Sequence, residues 1–231
     1  METEGLGRAA PGPDTGSART SGNHDQLSTM RRLTIVDRGH GDPVVLVPGI
    51  QGRWEWMAPC VDALAAGGRA VSCSLPGEPG SGAALLTSRG FDVHLEWLDA
   101  VWEAAGLGPA VLCGVSYGGW VSVKYAAARP ERVQGLVLAS APGPGFAPDR
   151  RQQYYVRAPH LLLPAFLVTT RQRMKPELKR ALPDAAARFR FVRRQLALMA
   201  RAPISPGLMA RRLRVAMQED FAAAARSVRA P

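Results

Sequence analysis

From residue 31 onward, apolar residues come in short blocks that alternate with stretches of helical periodicity. Residues 32–36 predict an early strand. Residues 44–47, apolar throughout, predict a buried strand that is entered through the turn Gly39-His40-Gly41-Asp42-Pro43 and ended by Pro48-Gly49. A helix is expected over 54–66, closed by Gly67-Gly68, and then a strand over 70–75 that runs into the small-residue loop 76–82. Asp92 stands where an N-cap belongs, ahead of a helix whose apolar face reads Val93, Trp97, Val101 and Ala104 and which Gly106 ends. Residues 110–113 predict another strand, 120–129 a helix stopped at Pro130, and 133–139 a further buried strand. Strands alternating with helices in this way indicate an α/β fold with a mostly parallel sheet.

Beyond residue 148 the pattern changes. Pro159, Pro176, Pro183, Pro203 and Pro206 divide residues 149–231 into several expected helices. One carries the apolar stripe Phe189, Val192, Leu196, Met199, and Ser205-Pro206 caps another that bears Met209, Leu213 and Met217. Asp149 fits the N-cap of a helix over 150–157, and Asp184, Glu219 and Asp220 fit helix starts or solvated faces.

The formal charge of +10 belongs to this second part, where residues 149–231 hold 18 Lys/Arg against 5 Asp/Glu, while residues 1–148 hold 11 against 14. So uneven a distribution, with no helix-turn-helix and no aromatic-interleaved basic patch, argues against nucleic-acid binding. Arg188, Arg190, Arg193, Arg194, Arg201, Arg211, Arg212 and Arg214 have three readings: solvated helix faces, attraction of an anionic substrate, or attraction of an acidic membrane. Residues 1–29, rich in Gly, Ser, Thr and Pro, are expected to be a disordered tail. The stretch Gly5-Leu6-Gly7 within it follows no strand and is not a dinucleotide motif. Cys60, Cys73 and Cys113 match no metal-binding spacing. With no apolar run long enough for a membrane span and no signal-peptide core, a cytoplasmic location is expected. No cofactor or metal is called for.

The chemistry-bearing motif is Gly114-Val115-Ser116-Tyr117-Gly118, followed by Gly119. A G-x-S-x-G sequence between a strand and a helix is the setting of a nucleophile elbow, where the serine takes a strained backbone and its glycine neighbours make the tight turn possible.

Ordered around this motif are 43-PVVLVPG-49 with Trp54, 75-LPG-77, and 128-ARPERV-133 before a Gly-Leu-Val-Leu strand. In this order the chain resembles the α/β-hydrolase fold superfamily, in its bacterial form with a helical cap inserted after the strand that follows the nucleophile helix. The resemblance covers about residues 31–145 and implies a partial core over 30–148 and a cap with linker over 149–231. It also implies that Ser116 is the nucleophile and that the backbone amides of Ile50 and Tyr117 form the oxyanion hole. Pro48 stands where many relatives have histidine, and Gln51 and Arg53 either line the same mouth or are simply solvated. The implied activity is hydrolysis of an ester, thioester or related acyl bond through an acyl-enzyme. The substrate would be a small molecule, apolar or aromatic and with room for an anionic group, lodged among Leu161, Leu162, Leu163, Phe166, Leu167 and the methionines of the cap.

Such a serine needs a base and an acid. In this fold they follow the serine in chain order, yet only His160 does, and it lies in the expected cap. His40 is expected at the opposite edge of the sheet from Ser116, His94 on a helix flank and His24 in the tail. The sequence ends where relatives enter further core strands carrying the acid and the histidine. The expectation is therefore a fragment, inactive or nearly so, with its last strand exposed as an apolar edge. The alternative is a shortened, non-catalytic binding or interaction protein on the same scaffold.

Overall fold

The computed structural model describes residues 32–143 and 145–231; the expected tail at 1–29 lies outside them. Five strands form one sheet in the order β1-β3-β2-β4-β5: β1 Val36–Gly39, β2 Pro43–Val47, β3 Arg69–Ser72, β4 Ala110–Val115 and β5 Val133–Ala139. All neighbours are parallel except β1 and β3, which pair antiparallel with Val36 opposite Ser72 and Gly39 opposite Arg69.

Helix α1 (Ala58–Ala65) covers one face of the sheet, packing Val61 and Leu64 against Leu46 and Ala70. On the other face α2 (Asp92–Ala104) and α3 (Tyr117–Ala128) bury Trp97, Leu98, Val101, Val121 and Tyr125 against Val45, Val71 and Leu112. The alternation of β4 follows from this two-sided packing: Ala110, Leu112 and Gly114 are buried on the α2–α3 side, while Val111, Cys113 and Val115 sit on the α1 side. Asp99 stitches α2 to the end of α3, accepting hydrogen bonds from the Tyr125 hydroxyl (3.0 Å) and the Arg129 guanidinium (2.8 Å).

Residues beyond β5 are helical: α4 Arg150–Arg157, α5 Pro159–Ala181, α6 Ala185–Arg201, α7 Pro206–Ala216 and α8 Phe221–Ser227. Side chains of Asp149, Asp184, Ser205 and Asp220 cap four of them, and Asp149 forms a reciprocal capping box with Gln152. Helix α7 packs on α4 and α5, and α8 packs on α3 with Phe221 stacked on Trp120 at 4.7 Å between ring centroids.

Three expectations are corrected. The first strand runs over Val36–Gly39 instead of 32–36, because Arg69 on β3 holds Asp37 in a two-toothed ion pair that sets the register, whereas Leu33 and Ile35 pack on the core without a ladder. Asp92 does not cap α2: Phe91 is already helical and takes the cap position, so the carboxylate lies inside the first turn, where the positive end of the helix dipole favours it. The third concerns proline: Pro176 does not divide two helices, because α5 runs unbroken through it as it does through Pro164. Both are exposed, so water can satisfy the carbonyls that lose their N–H partners.

Strand β5 is the last of the sheet, and along it Val137 and Leu138 are about half exposed. Its outer side carries one backbone bond in this structure, from the Leu136 N–H to the Pro231 carbonyl (2.8 Å). An apolar strand at a sheet edge is a template for association. The substitution Val137→Lys is therefore expected to lower light scattering on concentration, while changing the urea unfolding free energy by no more than about 1 kcal/mol.

Candidate active site

Ser116 joins β4 to α3 in a single residue at φ 53°, ψ −117°, a left-handed backbone that a non-glycine residue adopts only under constraint. The glycines show what holds it there. A Cβ on Gly118 would lie 2.3 Å from the Val47 carbonyl oxygen, one on Gly114 would lie 2.5 Å from that of Gly118, and one on Gly119 would lie 2.4 Å from the Ala141 Cβ. Helix α3 thus starts in contact with the end of β2, and the turn after β2 comes to Ser116: a Cβ on Gly49 would stand 3.6 Å from the Ser116 Cβ.

That turn, Gly49 to Gly52, is closed by the Gly52 N–H donating to the Gly49 carbonyl (2.9 Å). Ile50 occupies its second position, whose N–H the turn does not use. Tyr117 opens α3, where the first N–H groups have no intrahelical acceptor. Ser116, Ile50 and Tyr117 all line one cavity of about 770 Å³, together with Trp120 from α3 and Met209 and Leu213 from α7. Leu161, Leu162 and Ala165 of α5 and Tyr154 and Tyr155 of α4 complete its apolar part. Of the side chains expected there, Leu163, Leu167, Met199 and Met217 do not line it.

Among the described residues no histidine is hydrogen-bonded to Ser116. His40 is exposed in the turn before β2, at the far end of the sheet from the serine, and His160 is exposed at the start of α5, beside Gly207. His94 departs from its expected place on a helix flank. It is fully buried, stacked on Phe91 at 4.7 Å between ring centroids, with Nε2 3.2 Å from the Tyr117 hydroxyl. Burial, with the nearby Arg212 charge, pulls its pKa from 6.5 to about 3, so the imidazole is neutral in the folded state.

Arg212 is the largest correction to the reading of residues 149–231. Expected among the solvated or steering arginines, it has no exposed surface at all. Its guanidinium donates to the Ile50 carbonyl (3.0 Å), the Pro76 carbonyl (3.0 Å) and the Glu78 carboxylate (2.9 Å). Gly52, at φ 84°, lies flat against it: any Cβ there would fall 2.4 Å from Nη1. Burial drives Glu78 upward in pKa against the pull of Arg212, and Arg212 downward against the pull of Glu78. Sequence singles out Arg212 only as one of eight basic residues and Glu78 not at all, although a signal for burial exists: Arg212 stands within the apolar stripe of Met209, Leu213 and Ala216. Of the two loop residues left open, Gln51 does not line the cavity, and Arg53 is paired with Glu55.

The model of the alpha/beta hydrolase fold family matches residues 42–200. The chain belongs to that family. It is 34% identical over 116 residues to a 2-hydroxy-6-oxononadienedioate/2-hydroxy-6-oxononatrienedioate hydrolase of Burkholderia vietnamiensis, covering 48% of this chain and 40% of the relative. It is 32% identical over 122 residues to a haloalkane dehalogenase of Sphingobium indicum, covering 48% and 39%. Among solved structures, BpoC of Mycobacterium tuberculosis, which carries the designation of a non-heme bromoperoxidase, superimposes with a TM-score of 0.63 at 26% identity, covering 87% of this chain and 75% of that one. The chain spans about two fifths of the length of the curated relatives it matches.

Two outcomes are expected. Glu78→Ala leaves a buried guanidinium without its counter-charge and should cost about 3–5 kcal/mol in urea unfolding, while the double change Glu78→Leu with Arg212→Met should recover most of that loss. His94 has a folded pKa depressed below its unfolded value, so the stability it contributes is complete above about pH 6.5 and is lost as pH falls from 6.5 toward 3. The urea midpoint should fall through that window in the parent chain and less steeply in His94→Gln.

Proposed function

We propose that this hydrolase-fold chain carries the nucleophile and oxyanion-binding groups of a hydrolase acting on an ester, thioester or related acyl bond. The observation that carries the reading is the strained Ser116 at the wall of the 770 Å³ cavity that it shares with Ile50 and Tyr117. In this scheme the Ser116 oxygen attacks the acyl carbon, and the carbonyl electron pair moves onto oxygen. The amides of Ile50 and Tyr117 stabilise that oxyanion. The serine proton passes to a general base, the tetrahedral centre collapses with loss of the alcohol or thiol, and water later releases the acid. Because both oxyanion donors are backbone groups, the side chains of Ile50 and Tyr117 are free to serve the lining and the core.

Residues 149–231 act in this reading as a cap, with the substrate's acyl chain or ring among Trp120, Leu162, Met209 and Leu213. Arg151 and Arg157 line the same cavity and favour a substrate with an anionic end. Asp149, the carboxylate in that lining, is occupied in capping α4.

One observation favours a second reading, a non-catalytic ligand-binding protein: among the described residues, no histidine is hydrogen-bonded to Ser116. The two are separated by incubating the chain with a p-nitrophenyl acyl ester and following both nitrophenol release and protein mass. The proposed hydrolase gives an acyl adduct mapped to Ser116 and absent from Ser116→Ala. Its turnover should be no more than about 10³–10⁴ times the rate in water, the level left to binding and oxyanion stabilisation without a base. Saturable binding of a fatty acid with no adduct would favour the binding protein, and an adduct that persists in Ser116→Ala would overturn the hydrolase reading.

A further inference from the structure

Helix α6 is amphipathic, yet it buries none of its residues. Phe189, Val192, Leu196 and Met199 lie at spacings of three and four, hence on one face. They are 68%, 45%, 62% and 36% exposed. The remaining surface is of one sign. Between Ala185 and Arg201 there are five arginines and no carboxylate, and Arg190, Arg193, Arg194 and Arg201 are exposed. The acidic group facing them is the N-cap Asp184, 4.0 Å from Arg190. Arg188 turns inward to the Leu182 and Pro183 carbonyls. Helix α5 adds exposed Val168 and Met174 to the same part of the chain.

We propose that α6 docks on an anionic lipid bilayer, lying in the plane of its surface. An exposed apolar stripe bordered by Arg193, with Arg190, Arg201 and Arg194 farther round the same side of a helix about 25 Å long, fits a partner with hydrocarbon beneath a continuous layer of negative charge. A bilayer containing acidic lipid supplies both at every point. Phenylalanine, valine and leucine enter the acyl boundary, and the arginine stems lie along it with their guanidinium groups at the phosphates. The wider charge acts the same way, since residues 149–231 hold 18 Lys/Arg against 5 Asp/Glu and attract an anionic surface before contact. That same excess opposes a second copy of the chain on this face, because the two basic segments would meet. Docking is peripheral: among the described residues, no helix is long and apolar enough to cross a membrane. The proposal does not depend on any reaction at Ser116.

The test is co-sedimentation of the full chain with phosphatidylcholine vesicles, with and without about one-third phosphatidylglycerol. The chain should pellet with the anionic vesicles and stay in solution with the neutral ones, and about 0.5 M NaCl should release much of it. Phe189→Ser with Leu196→Ser should abolish pelleting while leaving the circular dichroism spectrum unchanged, because neither side chain is buried. Arg193→Ala, which keeps the stripe, should weaken binding about fivefold. Equal pelleting with neutral vesicles, or undiminished pelleting of the stripe variant, would overturn the proposal. So would light scattering that shows a dimer which Phe189→Ser with Leu196→Ser dissociates, since the occupant would then be a second copy.

Discussion

A strand must become a helix within one residue, and that residue is Ser116. Its left-handed backbone leaves α3 pressed against the carbonyl end of β2 and the exit of β5, so closely that Gly114, Gly118 and Gly119 cannot carry side chains. Everything around the serine follows from this closeness. The order β2-β4-β5 brings the Gly49–Gly52 turn to one side of Ser116 and the chain leaving β5 to the other. Ser140, which directly follows β5, is the other non-glycine residue described with positive φ, so two adjacent strands of the sheet lead into strained turns.

Such a turn positions a hydroxyl but does not hold the loop opposite it. That task falls to the Arg212–Glu78 pair, which reaches from α7 across to the loops after β2 and β3. Burying two charges is costly, and the contacts made here repay that cost only as a set: a carboxylate, two carbonyls and the flat face of Gly52. The bond to the Ile50 carbonyl fixes the peptide next to the Ile50 N–H, so the orientation of that amide depends on a side chain 162 residues away in sequence.

How much of this could be read in advance depended on whether a feature is local. The alternation of strands and helices from β2 onward, the tight turn at Ser116 and the caps at Asp149, Asp184 and Ser205 are written in short stretches of sequence, where period, glycine and proline decide the outcome. Pro176 misled because its helix is exposed, and exposure is a tertiary property. His94 and Arg212 were misplaced for the same reason: each looks like an ordinary polar residue on a helix until the partners that bury it, Tyr117 and Glu78, arrive from distant segments. Ser116, Ile50 and Tyr117 were named from motif order and share one cavity, whereas the residues that hold their surroundings in place were not legible from any local pattern.

The contrast between α7 and α6 divides the helical segment into parts of unequal stiffness. Helix α7 buries six of its eleven residues and is riveted by Arg212 to the loops of the sheet, whereas α6 buries none. Segments with few buried contacts open at low free energy. Strain applied from the α5–α6 side is therefore absorbed there, before it can reach α7 and the Ile50 turn. Helix α7 contributes Met209 and Leu213 to the cavity beside Ser116, whereas α6 contributes no residue, so opening of α6 leaves that wall as it is.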